Sequence, residues 1–558
     1  MTRVRPGLSA TLLPLLSAAL LSACGGGGGD SGGSSTGTTP TPPTPPTGGG
    51  GTTPAQSTDI LTYKYDASRS GSNPTESVLT TSNVNSTSFG LLRFLPADGK
   101  VDAQPLYLAG LSVNGATHNV VYVASENDTV YAYDADNGAL LWQVSLLGAG
   151  EQASDAVYGC TQVTPSIGVT STPVIDRAAG AHGTMFVVSM SRSSSDSSYH
   201  QRLHALDVSS GAELLNGPVD ISASYPVMGG STSFDPQAYE ERAALLLSQG
   251  TVYTSWTSHC DVAPYSGWVI AYSEATLART QVFNAAPNSG GRGPAIWMAG
   301  GGPAADSAGN VYLLTANGAF ETTLDANGFP SQQDYGNSFL KLASSGTSLT
   351  VADYFAMSNE VDESNADQDL GSGGILLLPD LTDSGGTTRH LAVGAGKDGN
   401  LYVVNRDSLG KFSSTGNNIW QQLTGALPGG IWSTPAYFNQ TLYYGPSGGH
   451  LIAFNMVDAR LNAGTQSSAS FASPGSAPAV SANGTSNGIV WAHENSNPAV
   501  LHAYDAGNLT HELYNSAQAA NGRDQYGAGN KFITPVVADG KVFVGATNGV
   551  AVYGLLGD

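Results

Sequence analysis

The sequence predicts an all-β fold, a closed ring of eight four-stranded blades, and three observations carry that expectation. An apolar strand, often opened by proline and followed by turns and further strands, recurs eight times, opening at Pro105, Pro173, Ala244, Pro303, Ile375, Pro435, Pro478 and Pro535. Glycine and other turn formers interrupt every apolar run, and helical periodicity is nearly absent. Regular short strands without helices are the pattern of a radial architecture, an eight-bladed β-propeller.

The clearest unit has a strand at Val120 to Ala124, a turn at Glu126 to Asp128, a strand at Thr129 to Asp134, an Asn137-Gly138 turn and a last strand at Leu140 to Val144. The final unit, Phe532 to Leu556, offers three strands before the chain ends. Its fourth must come from elsewhere. Phe89 to Leu95 precedes Pro105 as Leu140 to Val144 precedes the second unit, so this N-terminal strand is expected to close the ring and remove the exposed edge.

Ahead of the propeller, assigned to residues 57–558, lie two segments of different composition. Arg3 and Arg5, a Leu/Ala-rich stretch and then Leu21, Ser22, Ala23 and Cys24 read as a lipoprotein signal peptide over residues 1–23, with Cys24 as the lipid acceptor. The apolar stretch is too short to span a bilayer. Residues 24–56 are Gly, Ser, Thr and Pro with almost no apolar side chain, which predicts a disordered tether. Gly25, in place of an aspartate after the lipidated cysteine, permits sorting to the outer membrane, facing the periplasm.

A formal charge of −22 with 21 basic residues argues against nucleic acid and anionic membrane surfaces as partners, leaving the lipid as the membrane contact. Beyond Cys24 there are two cysteines, Cys160 and Cys260, and an oxidising compartment makes a bridge between them possible. No Cys-x-x-Cys-His occurs, so any redox chemistry needs a separate electron carrier. The string GAGKDG, Gly394 to Gly399, fits a dinucleotide pattern by letter, but it joins two strands and reads as a hairpin.

The unit VYVASENDTVYAYDADNGALLW, Val121 to Trp142, resembles the repeat of the quinoprotein alcohol dehydrogenase superfamily, with docking tryptophans at Trp142 and Trp420. GPAIWMAGGGPAAD, Gly293 to Asp306, and ADQDLGSGG, Ala366 to Gly374, resemble its polyvinyl alcohol dehydrogenase branch. The resemblance implies pyrroloquinoline quinone (PQQ) and calcium on the propeller axis. It puts Ser258 and Asp261 (SHCD) at a cofactor and calcium segment, Asn317 (TANG) at a calcium ligand, and Asp369 (DQDLG) at the catalytic base, itself beside the metal. Lys397 (GKDG) falls at the quinone oxygens and Asp102 (DAQP) at a cofactor-contacting acid. Two positions depart from the family. Gly159 and Cys160 stand where a cysteine pair covers the quinone, and Trp297 is the nearest aromatic to the stacking position, near which Gly300 falls.

The chemistry agrees on independent grounds: calcium takes oxygen donors, which Asp261, Asn317 and Asp369 supply, and a base and a cation complete an alcohol-oxidising site. Cys160 and Cys260, both in candidate site segments, are expected to pair. The leading expectation is a lipid-anchored, PQQ- and calcium-dependent dehydrogenase of alcohols, polyols or a polymer. The alternatives are a non-catalytic propeller scaffold of the outer-membrane assembly kind and a polymer-binding module.

Overall fold

The computed structural model describes residues 59–345 and 347–557. Cys24, the signal peptide and the tether lie outside the described residues. Each of the eight expected openings leads into a first strand: Leu106–Val113, Val174–Asp176, Leu246–Ser248, Ala304–Ala305, Leu376–Leu377, Ala436–Phe438, Ala479–Asn483 and Val536–Ala538. These begin blades 1 to 8, each built on an antiparallel meander of four strands, to which blades 2, 3 and 7 add a short fifth. Blade 1 continues through Ala116–Ala124, Thr129–Asp134 and Leu140–Ser145. Blade 8 runs Val536–Ala538, Lys541–Ala546 and Gly549–Leu555, and takes its outer strand from Phe89–Pro96, which pairs antiparallel with Gly549–Leu555. The ring therefore closes as the sequence predicts. The segment around GAGKDG is a hairpin between Leu391–Ala395 and Leu401–Asn405.

The core lies between blades. Tyr107, Val121 and Tyr133 of blade 1 pack with Phe543, Val550 and Val552 of blade 8, all nearly or fully buried, so each blade hides its apolar face only against its neighbours. The two docking tryptophans make the same contact. Trp142 Nε1 donates to the Val208 carbonyl of blade 2 at 3.2 Å, and Trp420 Nε1 to the Ala459 carbonyl of blade 6 at 2.6 Å. Gly211, at φ +70°, is required there, because a Cβ would stand 2.8 Å from the Trp142 ring.

One element has no counterpart in the repeats. Residues 60–73 form a thread that bonds to each blade in turn around the ring. Ile60 exchanges backbone hydrogen bonds with Tyr107 of blade 1, and the Leu61 carbonyl accepts from Ile175 of blade 2. The Arg69 guanidinium donates to the Leu245 carbonyl at the entry to blade 3. The carbonyls of Ala67, Ser68, Ser70 and Gly71 accept from Ala305, Leu377, Tyr437 and Val480 of blades 4 to 7. Asn73 Nδ2 reaches the Val537 carbonyl of blade 8 at 2.9 Å.

The thread also buries two cations without a carboxylate in contact. Arg69 spreads its donors over Thr62 Oγ1 and the Tyr63, Leu245 and Pro303 carbonyls, and burial lowers its pKa to about 10. Lys64 donates to the Pro478 carbonyl, and its burial pushes its pKa well down.

Candidate functional site

The residues singled out by sequence lie in segments that lead into first strands or join the second and third strands, so they gather at the same end of the ring. Asp369 precedes blade 5, Asn317 follows the second strand of blade 4, and Lys397 tips the GAGKDG hairpin. These three meet. Lys397 Nζ stands 2.6 Å from Asp369 Oδ2, and the Asn317 backbone N–H donates to Asp369 Oδ1 at 2.8 Å. Asp367 completes the group, accepting from Lys397 Nζ at 2.9 Å and from Asn317 Nδ2 at 3.0 Å.

Asp369 is 5% exposed. Burial pushes its carboxyl above the usual range, opposed but not cancelled by the Lys397 ammonium. Burial acts downward on Lys397, and the two aspartates reverse that and raise it. A proton acceptor with raised affinity beside a fixed cation is thus built into one corner of the axis.

Asp261 and Ser258 lie across a tyrosine from that corner. Ser258 Oγ donates to Asp261 Oδ1 at 3.0 Å, and Asp261 N–H donates back to Ser258 Oγ at 3.2 Å. Tyr265 joins the two groups. Its phenol is raised by burial and then by Asp261, Asp369 and Asp367. Gly293, at φ +68°, lies between Tyr265 and Asn317, since a Cβ there would stand 3.2 Å from the Tyr265 hydroxyl oxygen and 3.0 Å from the Asn317 carbonyl. Cys160 and Cys260 are joined in a disulfide across 100 residues, with Cα atoms 5.6 Å apart. The bridge closes beside Asp261.

A second set of buried charges begins beside Ser258, where Tyr239 and Glu240 pair with Ser258 and Thr257; within it the sequence singled out Asp102 and Trp297, read Glu126 as part of a turn and passed over Glu240 and Arg242. Glu240 Oε2 lies 3.5 Å from His259 Nδ1 and Glu240 Oε1 lies 3.8 Å from Arg242 Nε. Burial lifts Glu240 to about 7 and presses His259 to about 4. Glu126, fully buried and raised, faces Asp102, whose carboxylate accepts from Asn530 Nδ2. Arg242 Cζ lies 5.6 Å from the Trp297 ring centroid and 4.8 Å from that of Phe532. The signal available in the sequence was the run Glu240-Glu241-Arg242 just before an opening strand.

This donor set has the chemistry that calcium and an anionic quinone need: oxygen ligands in Asp261, Asn317 and Asp369, cations in Lys397 and Arg242, and buried oxygens on Glu126 and Glu240 with no hydrogen-bond partner. Among the described residues no three His, Cys, Asp or Glu side chains converge as a metal cage, so a cation here relies on the amide of Asn317. The axial void bounded by Asp102, Gln104, Gly300 and Phe532 measures about 10 Å³, room for about one water.

Fold and site together define a PQQ-repeat β-propeller. A family model, PQQ_2, described as outer membrane protein assembly factor BamB, matches residues 99–253 and 367–555, more than half of the chain, and the chain belongs to that family. Among solved structures it is similar to the quinohemoprotein alcohol dehydrogenase of Comamonas testosteroni, with a TM-score of 0.58 at 14% identity over 89% of this chain and 80% of that one. The quinohemoprotein alcohol dehydrogenase ADHIIG of Pseudomonas putida HK5 gives 0.56 at 14% identity over the same shares. A europium-containing methanol dehydrogenase gives 0.54 at 14% identity over 89% of this chain and 98% of that one. At this identity the likeness shows the fold. No curated protein sequence matches the chain.

Proposed function

We propose that the chain is a dehydrogenase of alcohols or polyols that uses PQQ and calcium, held to the outer membrane through a lipid on Cys24 and passing electrons to a separate periplasmic carrier. The observation that carries this reading is the Asp369–Lys397 pair, a buried carboxylate 2.6 Å from an ammonium. Asp261, Asn317 and Asp369 are the residues that would hold calcium, and Asp102, Cys160, Ser258, Trp297 and Lys397 those that would surround the quinone. When bound, the quinone supplies the two-electron acceptor and calcium its Lewis acid.

The protein's own part is proton chemistry. Asp369 Oδ2 takes the hydroxyl proton, the burial that raises its affinity favouring the transfer. Lys397 favours the ionised form of the carboxylate against burial and supplies positive charge as negative charge builds on the acceptor. Asn317 N–H fixes the other carboxylate oxygen, so the accepting oxygen is set in place before substrate arrives.

Adding PQQ and calcium to the purified protein and recording a bound-quinone spectrum and alcohol-dependent dye reduction tests the proposal. Asp369→Asn should bind the quinone and reduce no dye. Absence of dye reduction by the unaltered protein across a broad alcohol panel overturns the reading. A second reading, a scaffold without catalysis, is favoured by the small axial void of about 10 Å³ and by the description of the family model. It requires that no quinone spectrum develop.

A further inference from the structure

Beside Asp261 a groove of about 440 Å³ opens on the surface, a volume in the range of small-molecule sites. Tyr158, Val227, Val262, Pro264 and Pro287 wall it, and Asp235 is the one charged side chain in its lining. Its inner end is polar: Tyr265 and Ser266, both more than nine-tenths buried, line it there. Tyr265 is also the residue whose hydroxyl faces the Asn317 carbonyl across Gly293, and whose phenol the charges of Asp261, Asp369 and Asp367 help to raise. One phenol thus belongs both to the groove and to the candidate site.

The outer rim exposes large apolar side chains. Tyr158 is 50% exposed and Val262 39% exposed, and Met228, 67% exposed, caps the neighbouring hairpin of Ser224–Val227 and Gly230–Ser233. Water contact at these positions is unfavourable. Both rim residues are held by the same covalent link, because Tyr158 stands two residues before Cys160 and Val262 two residues after Cys260, and these cysteines are bridged. The backbone is left-handed on both sides of the bridge, at Tyr158, φ 54°, and at Cys260 and Asp261, φ 49° and 55°.

We infer that this groove receives the alkyl chain of an alcohol, with the hydroxyl at the Tyr265 end and the disulfide setting the width between Tyr158 and Val262. Apolar walls ending in a phenol and a serine hydroxyl fit an amphiphilic chain and give little to methanol or to a sugar hydroxylated along its length. Delivery of the hydroxyl toward Asp369 rests on the dehydrogenase reading; binding in the groove does not.

Calorimetric titration of cofactor-free protein with the 1-alkanols from ethanol to decanol is the test. Affinity should rise by up to about fourfold per added methylene while the chain stays within the groove. Tyr158→Ser/Val262→Ser, which alters exposed side chains only, should flatten that gradient with the thermal midpoint unchanged. Cys160→Ser/Cys260→Ser should weaken it. A flat response in the unaltered protein, or the same gradient in the Tyr158/Val262 variant, overturns the inference, and an undiminished gradient without the bridge overturns the role of the disulfide. A gradient without dye reduction in quinone-loaded protein leaves the groove standing and removes the dehydrogenase. Dye reduction without a gradient does the reverse.

Discussion

Lys397 is tied to Asp369 at both of its ends: its Nζ lies 2.6 Å from Asp369 Oδ2, and its backbone N–H donates to the Asp369 carbonyl oxygen at 2.8 Å. The hairpin that carries the cation and the loop that carries the carboxylate therefore move as one unit. Lys397→Met keeps the backbone bond and removes the charge. It should cost about 1–3 kcal/mol at pH 7, because a buried carboxylate is left without its partner and the exposure of Lys397 moderates the loss.

The sign of the pH dependence follows. Burial already raises Asp369, and without the ammonium that effect is unopposed, so the native carboxyl holds its proton to still higher pH. Stability of the variant should fall as pH rises from the ordinary carboxylate range through the raised native pKa. Urea midpoints of both proteins from pH 4 to 8 measure this, and equal slopes would refute it.

His502 gives the second pH prediction. Its Nδ1 lies 2.7 Å from Glu512 Oε1 and its Nε2 3.3 Å from Glu494 Oε2. Burial alone acts to lower its pKa, and the two carboxylates outweigh burial and raise it above the usual 6.5. The stabilisation is therefore complete below 6.5 and disappears as pH climbs through the raised value. His502→Gln should melt lower than the parent at pH 5.5 by about 1–2 kcal/mol and approach it under alkaline conditions, as read by differential scanning calorimetry.

Removing residues 1–56 should leave the melting temperature unchanged, whereas removing residues 1–73 should lower stability by on the order of 5–10 kcal/mol. The longer cut strips hydrogen bonds to all eight blades while sparing the closing strand Phe89–Pro96. Calorimetry with limited proteolysis compares the two. Survival of the longer truncation with an unaltered midpoint would show that the closing strand alone secures the ring.

The Cys160–Cys260 bridge closes a loop of 100 residues, and chain entropy gives it up to about 4–5 kcal/mol. Protein beginning at residue 57 should show no titratable thiol when denatured unreduced and two after reduction, and the reduced form should unfold at lower denaturant.

The blades were legible because each one repeats the same apolar-turn-apolar phrase, and the closing strand because Phe89 to Leu95 stands in register with Leu140 to Val144. The thread was hidden for a physical reason. It packs through edge-on backbone bonds and two buried cations, Lys64 and Arg69, and composition assigns such residues to the surface. Within the site, Asp369, Lys397 and Asn317 came from motif positions in three loops and do converge. Asp367 and Tyr265 did not stand out, since a second aspartate in an acidic turn and a tyrosine in a Pro-Tyr-Ser-Gly loop look like ordinary loop chemistry. Glu126 reveals itself by burial alone, which three-dimensional packing creates and local sequence does not encode, whereas Glu240 left a trace in the charged run Glu240-Glu241-Arg242.

The thread ties the earliest part of the fold to the latest. Asn73 bonds to Val537 across 464 residues, and the strand that seals blade 8 lies among the first 100 residues of the chain. An unfinished polypeptide, however many blades it has made, has an unsealed ring and a thread with its last partners missing. Stability thus arrives late and all at once, a high-contact-order route that is slow, and the molecule carries its own check on completeness: a prematurely terminated copy exposes a raw sheet edge to proteases at the place where a full-length copy has none.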